Sequence, residues 1–287
     1  MPSLSFLFAC TDYNLSNPTD KVPAATDTAV DADTAGRDHP PEDSGEGEQT
    51  ADGYIPGDDA STEAPVGRVA TILLTLSDDR IPEATASKLM ENTVNYVTGG
   101  TGTKVLVIRD DATGGEDDGD PQFIVDLLNG AGFTASLIDE PSAGIDRATL
   151  AGYHTVVLSN PGHPPDDHAT IAAMRDLSTQ GFGIVFQGDD MTRFADDSDT
   201  MEELTRLRNL DNGESYYGIP VDNDGWITYT VTLDSASPIA KDIADPSFEY
   251  ANDIDTAEPL DGNVVAAECT ITNTDFPPKP AITLYAP

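Results

Sequence analysis

The residues best suited to chemistry in this sequence are carboxylates in short glycine-containing stretches. Asp110-Asp111-Ala-Thr-Gly-Gly-Glu116-Asp117-Asp118-Gly-Asp120 follows one apolar run, Gly188-Asp189-Asp190 follows a second, and Asn160-Pro-Gly-His163 follows a third. Carboxylates that converge repel one another unless a cation or protonation relieves them. Flexible acidic loops suit Ca²⁺, which takes about six to eight oxygen ligands, whereas Mg²⁺ takes fewer in stricter geometry. The candidate metal ligands are therefore Asp110, Asp111, Glu116, Asp117, Asp189 and Asp190, with Ca²⁺ or Mg²⁺ as the candidate ion. The alternative is a solvated acidic rim in which Asp189 or Asp190 caps a following helix. No EF-hand register fits either loop, and Asp222-Asn-Asp-Gly225 supplies only a fragment of one.

Other polar groups could line the same site. His163-Pro-Pro-Asp166-Asp167-His168 is the one His pair close in sequence. A zinc site there needs a further ligand, with Asp189 as the candidate. The simpler reading puts Asp166 or Asp167 at the start of a helix, where negative charge favours the dipole. Asn160 and His163 stand as ligand-edge candidates, and Tyr216 and Tyr217 offer stacking faces to a sugar or peptide. Asp253 and Asp255 share one face if their segment is extended. Both stretches also read as ordinary loops whose Asx side chains bond their own backbone. Gly99-Gly-Thr-Gly102 precedes a strand, whereas a phosphate-binding loop follows one.

The elements that must position these groups are legible from residue Arg68 onward. Val69–Leu76 is a β-rich apolar run, and Pro82–Val97 carries helical spacing with Leu89, Val94 and Val97 as core candidates. Strands are expected at 104–109, 134–139, 155–159 and 183–188, and helices at 121–131 and 166–180. Short apolar strands alternating with helices imply βαβ crossovers. The expected fold is α/β: a flavodoxin-like, doubly wound, mostly parallel sheet with helices on both faces. Ligands of such sheets bind beyond the carboxyl ends of the strands, where the acidic loops begin. Residues 218–287 are patterned irregularly and β-rich, with strands expected at 226–233, 264–272 and 281–285. The stop at Pro287, directly after an apolar segment, leaves a missing final strand as one reading of that end.

Between Thr155-Val-Val-Leu-Ser-Asn-Pro-Gly-His163 and Gly183-Ile-Val-Phe-Gln-Gly-Asp-Asp190, with Ser237-Pro238-Ile239 after a late strand, the sequence resembles the class I glutamine amidotransferase-like superfamily. The resemblance extends to its trehalose-utilisation-like branch and covers roughly residues 68–245 as an order of elements. It implies the fold. Catalytic members place a nucleophilic cysteine on a sharp strand-to-helix turn, but the matching turn here reads Gly188-Asp189-Asp190-Met191. The cysteine of the folded part, Cys269, lies in a strand-like run and reads as a small core residue. A serine elbow is also absent, because Gly213-Glu-Ser-Tyr-Tyr-Gly218 has one residue too many. The resemblance therefore argues against the superfamily's covalent activity.

Lys and Arg total 14 against 52 Asp and Glu, a formal net charge of −38 over 287 residues. A phosphate backbone needs a basic face, so nucleic acid is excluded as a partner. Direct docking onto anionic lipid is excluded on the same ground. At the N-terminus, Leu7-Phe8-Ala9-Cys10 resembles a bacterial lipobox with Cys10 as the lipidated residue. The run before it is shorter than a secretory signal and lacks a positive n-region, as a start site placed too far downstream would explain. An incidental cysteine is the alternative. Residues 11–67 hold 14 acidic residues against Lys21 and Arg37. With few large hydrophobes they cannot offset chain entropy by burial, so a disordered acidic tether is expected.

The whole reads as an exported protein of the cell envelope, held to the membrane through a lipid only, on the periplasmic or surface side. Its expected role is a non-catalytic binding or scaffold module with an extracytoplasmic protein or glycan partner. A metal-assisted hydrolase using Asp189, Asp190 and His163 is one alternative, and a degenerate interaction domain without ligand is another.

Overall fold

The computed structural model describes residues 67–109, 121–141, 143–159, 168–188, 198–209, 228–251, 257–271 and 277–287. Cys10 and the expected tether up to residue 66 lie outside them. The first half alternates strand and helix: β1 (Val69–Ile72), α1 (Glu83–Val97), β2 (Lys104–Arg109), α2 (Pro121–Gly130), β3 (Thr134–Asp139), α3 (Arg147–Leu150), β4 (Thr155–Ser159), α4 (His168–Ser178) and β5 (Gly183–Gln187). It continues with α5 (Ser198–Thr205), β6 (Leu207–Asn209), β7 (Tyr229–Leu233), a 3-10 turn (Pro238–Ala240), β8 (Ser247–Tyr250), β9 (Ala257–Pro259), β10 (Asn263–Ile271) and β11 (Lys279–Tyr285).

The helices form where apolar residues recur on one face. In α1 the buried positions Ala86, Leu89, Met90, Thr93, Val94 and Val97 follow the i, i+3, i+4, i+7 rhythm. In α2 the corresponding stripe is Ile124, Val125, Leu127 and Leu128. The short α3 begins at Asp146, whose side chain accepts from the Thr149 N–H at 2.7 Å. That hydrogen bond holds the Asp146 carboxyl below its ordinary range.

The strands of the first half form a parallel run in the order β3-β2-β4-β5-β1. From β1 the chain crosses to β2 and on to β3 at one edge, then returns through β4 to β5. Of the helices that make these connections, α1 touches α2, while α4 touches α3 and α5. Strands β1, β4 and β5 are buried at every position.

The β-rich final third extends this same sheet. β11 pairs antiparallel with β1, and β10, β7 and β8 follow, giving among the described residues nine strands in the order β3-β2-β4-β5-β1-β11-β10-β7-β8. The sheet is therefore mixed, parallel on one side of β1 and antiparallel on the other. A bulge around Ala266 shifts the register of β10, which pairs with β11 along one edge and β7 along the other. A separate pair, β6 with β9, lies outside it.

One strand is shorter than its sequence suggests. The apolar run reaches Leu76, but the ladder stops at Ile72, and Leu73, Leu74, Thr75 and Leu76 leave it fully buried. An apolar run reports burial and cannot by itself separate a strand from buried irregular chain.

Candidate functional site at the carboxyl edge of the parallel strands

The register sets the carboxyl ends of the parallel strands in one row. Arg109 is the Cα partner of both Asp139 and Ser159, Ser159 pairs with Gln187, and Gln187 pairs with Ile72. At about 4.8 Å per strand, Arg109 and Gln187 stand roughly 10 Å apart with Ser159 between them. The chain therefore enters residues 110–120, 160–167 and 188–197 from three adjacent points. In the strand order β3-β2-β4-β5, the next strand in sequence lies outward of β2 and inward of β4, so the order reverses between Arg109 and Ser159.

The described rim of this edge is a polar network. Arg109 Nη1 donates to Asp139 Oδ1 at 2.8 Å, an exposed ion pair of small energetic weight. The buried Ser159 hydroxyl donates to Gln187 Oε1 at 2.7 Å, and Gln187 Nε2 donates to the Leu74 carbonyl, also at 2.7 Å. Three chain segments are thereby joined by one amide. The Ser159 hydroxyl is thus committed to an amide oxygen, which does not act as a general base. Next to Gln187, Gly188 adopts φ +151° and donates its N–H to the Ile72 carbonyl at 3.0 Å. A side chain rarely adopts that conformation, which explains glycine directly after the strand.

Cys269 lies in β10, fully buried, and burial pushes its thiol up to about 12. It is a protonated core group, as the sequence suggested, and burial suppresses the thiolate that a cysteine nucleophile requires.

The candidate site residues fall outside the described residues, apart from His168 of the candidate His pair, which begins α4. This holds for the candidate ligands Asp110, Asp111, Glu116, Asp117, Asp189 and Asp190, for the edge candidates Asn160, His163, Tyr216, Tyr217, Asp253 and Asp255, and for Cys10. The structure fixes the strand ends from which 110–120, 160–167 and 188–197 depart. Among the described residues, no group of three or more His, Cys, Asp or Glu is placed to hold a metal ion. Also among them, no helix is long and apolar enough to cross a membrane.

Three polar devices escaped the sequence reading. Gln187 ends an otherwise apolar strand, and that lone amide was the available signal. Thr75 N–H donates to the Tyr250 hydroxyl at 3.1 Å, tying the chain after β1 to the distant β8. At the opposite edge, His154 Nδ1 accepts from the N–H groups of both Thr103 and Lys104, at 3.0 and 2.9 Å. Gly102 permits that approach, since a Cβ there would lie 2.7 Å from His154 Cβ.

No family model matches the chain, and no curated protein matches it. Among solved structures, it is similar to the crystal structure of a ThuA-like protein from Parabacteroides merdae ATCC 43184. The identity is 14% and the TM-score 0.40, over 59% of this chain and 68% of that one.

Proposed function

We propose that this chain is an exported, lipid-anchored, non-catalytic binding module that holds a divalent cation at the carboxyl edge of its parallel strands. The observation that carries the reading is the register Arg109–Ser159–Gln187. It starts the stretches bearing Asp110, Asp111, Glu116 and Asp117, then Asn160 and His163, then Asp189 and Asp190, from neighbouring points of one sheet edge. Ca²⁺ suits that donor set, which is rich in carboxylate and carries few nitrogens. The order β3-β2-β4-β5 with β1 in the fifth place supports a flavodoxin-like, doubly wound core of the amidotransferase-like type. Cys10 would carry the lipid, and residues 11–67 would hold the domain off the membrane.

The test is thermal unfolding of the full chain after chelation, with millimolar Ca²⁺, Mg²⁺ or Zn²⁺ matched in ionic strength by NaCl. A ligand that binds the folded state raises its stability by mass action. The expected result is a Ca²⁺-specific rise that Asp189→Asn with Asp190→Asn removes. Identical curves in CaCl₂ and NaCl would sink the cation reading and leave a charge-screened scaffold. Turnover of an ester, glycoside or phosphate substrate that the same double variant abolishes would replace the binding module with a metal-assisted hydrolase. Anchoring is tested separately, by labelled-palmitate incorporation in a bacterial host and its loss in Cys10→Ala.

A further inference from the structure

The seam where the sheet changes from parallel to antiparallel contains a buried polar cluster. Thr71 in β1 and Thr283 in β11 are Cα partners on antiparallel strands, so their side chains share a face. Both are about 1% exposed. Asn263, at the start of β10, reaches the same place: its Nδ2 donates to Thr283 Oγ1 at 3.4 Å and to the Thr205 carbonyl at 2.7 Å. That second bond fixes the amide orientation, with Nδ2 toward the end of α5 and Oδ1 the other way. Thr71 Oγ1 and Asn263 Oδ1 are both shut off from solvent without a protein partner.

Two orphaned atoms of complementary character thus stand in one small cluster. A buried polar group left unpaired carries its full desolvation penalty. The missing partner must donate to the amide oxygen and accept from the hydroxyl. A water does both, and buried waters typically make about three such bonds. A cation would need oxygens alone, and no carboxylate appears among Thr71, Thr283, Asn263 and the Thr205 carbonyl.

We propose that a single internal water bridges Thr71, Thr283 and Asn263 beneath α5 and belongs to the folded structure. Through Asn263 this water bolsters the anchor of the α5 C-terminus to the sheet. Because α5 ends the connection that begins at Gly188, the anchor holds the far end of the segment carrying Asp189 and Asp190. The inference stands whether or not those residues bind a cation.

The experiment compares the full chain with Thr71→Val and Thr71→Ser, by thermal unfolding and by ²H and ¹⁷O water relaxation dispersion, which count long-lived internal waters. The valine variant keeps the shape and removes the hydroxyl. If a water is bound, Thr71→Val lowers the unfolding midpoint by several degrees and loses one long-lived water, while Thr71→Ser keeps that water. If the hydroxyl is buried dry, Thr71→Val leaves the midpoint unchanged or raises it, and the proposal fails. An equal water count in wild type and Thr71→Val overturns it too. A wild-type midpoint that depends on Na⁺ against choline, and loses that dependence in Thr71→Val, would put a monovalent cation there instead.

Discussion

Ser159 and Gln187, Cα partners at the carboxyl ends of β4 and β5, share a buried hydrogen bond of 2.7 Å. The same amide satisfies the Leu74 carbonyl, so its removal orphans two buried groups at once. Gln187→Leu is expected to cost about 3 kcal/mol of stability, since each buried unsatisfied group costs on the order of 1–3 kcal/mol. Ser159→Ala, which leaves only the amide oxygen short, should cost about 1 kcal/mol. Urea unfolding at neutral pH measures both. Equal effects from the two variants would show that Gln187 does not carry both contacts.

Alkaline pH should destabilise the protein through Cys269. Burial pushes its thiol up to about 12 in the folded state, against 9.0 ordinarily. Above pH 9 the unfolded chain therefore releases the proton first, and stability falls progressively until the folded thiol ionises. Below pH 9 the group is neutral in both states and contributes no slope. Tyr96, raised by burial, adds a slope of the same sign. Unfolding free energy followed from pH 8 to pH 11 should fall less steeply in Cys269→Ala than in wild type; parallel curves would remove Cys269 as a cause.

Salt should stabilise this chain without any specific binding. A net charge of −38 repels itself in the compact state, and added ions screen it. The unfolding midpoint is expected to rise steadily with NaCl from low salt to about 1 M. A midpoint independent of NaCl would mean that the charges lie too far apart in the folded state to repel.

Gly102→Ala tests the clip at the amino edge of the sheet. A methyl there meets His154 Cβ and Thr98 Cγ2, both at 2.7 Å, with little room to relax. The expected cost is about 1–3 kcal/mol, the usual range for overpacking. His154→Ala should cost about 1 kcal/mol, because water can replace Nδ1 at the exposed N–H groups of Thr103 and Lys104. Chemical denaturation of both variants would show the order; a larger loss from His154→Ala would place the weight on the hydrogen bonds instead.

The sequence by itself located the elements that are long or sharply bounded. β2, β3 and β4 fall at 104–109, 134–139 and 155–159 as their apolar runs indicate. The stripe of Leu89, Val94 and Val97 is the buried face of α1. Burial by both sheet faces or by a helix face leaves a periodic imprint, which survives without knowledge of neighbours. α3, α5, β6, β8 and β9 were missed, because three to eight residues hold too little of any period to stand out. Which strands become neighbours was equally illegible. β11 enters between β1 and β10 through contacts across some two hundred residues, and an apolar run specifies only that it will be covered. The candidate site divides along the same line. Its carboxylates are local facts of composition, readable at Asp110 or Asp189. Their common origin on one edge comes from the pairing of Arg109 with Ser159 and of Ser159 with Gln187. Hydrogen-bond register between distant segments decides that, and only the folded sheet contains it.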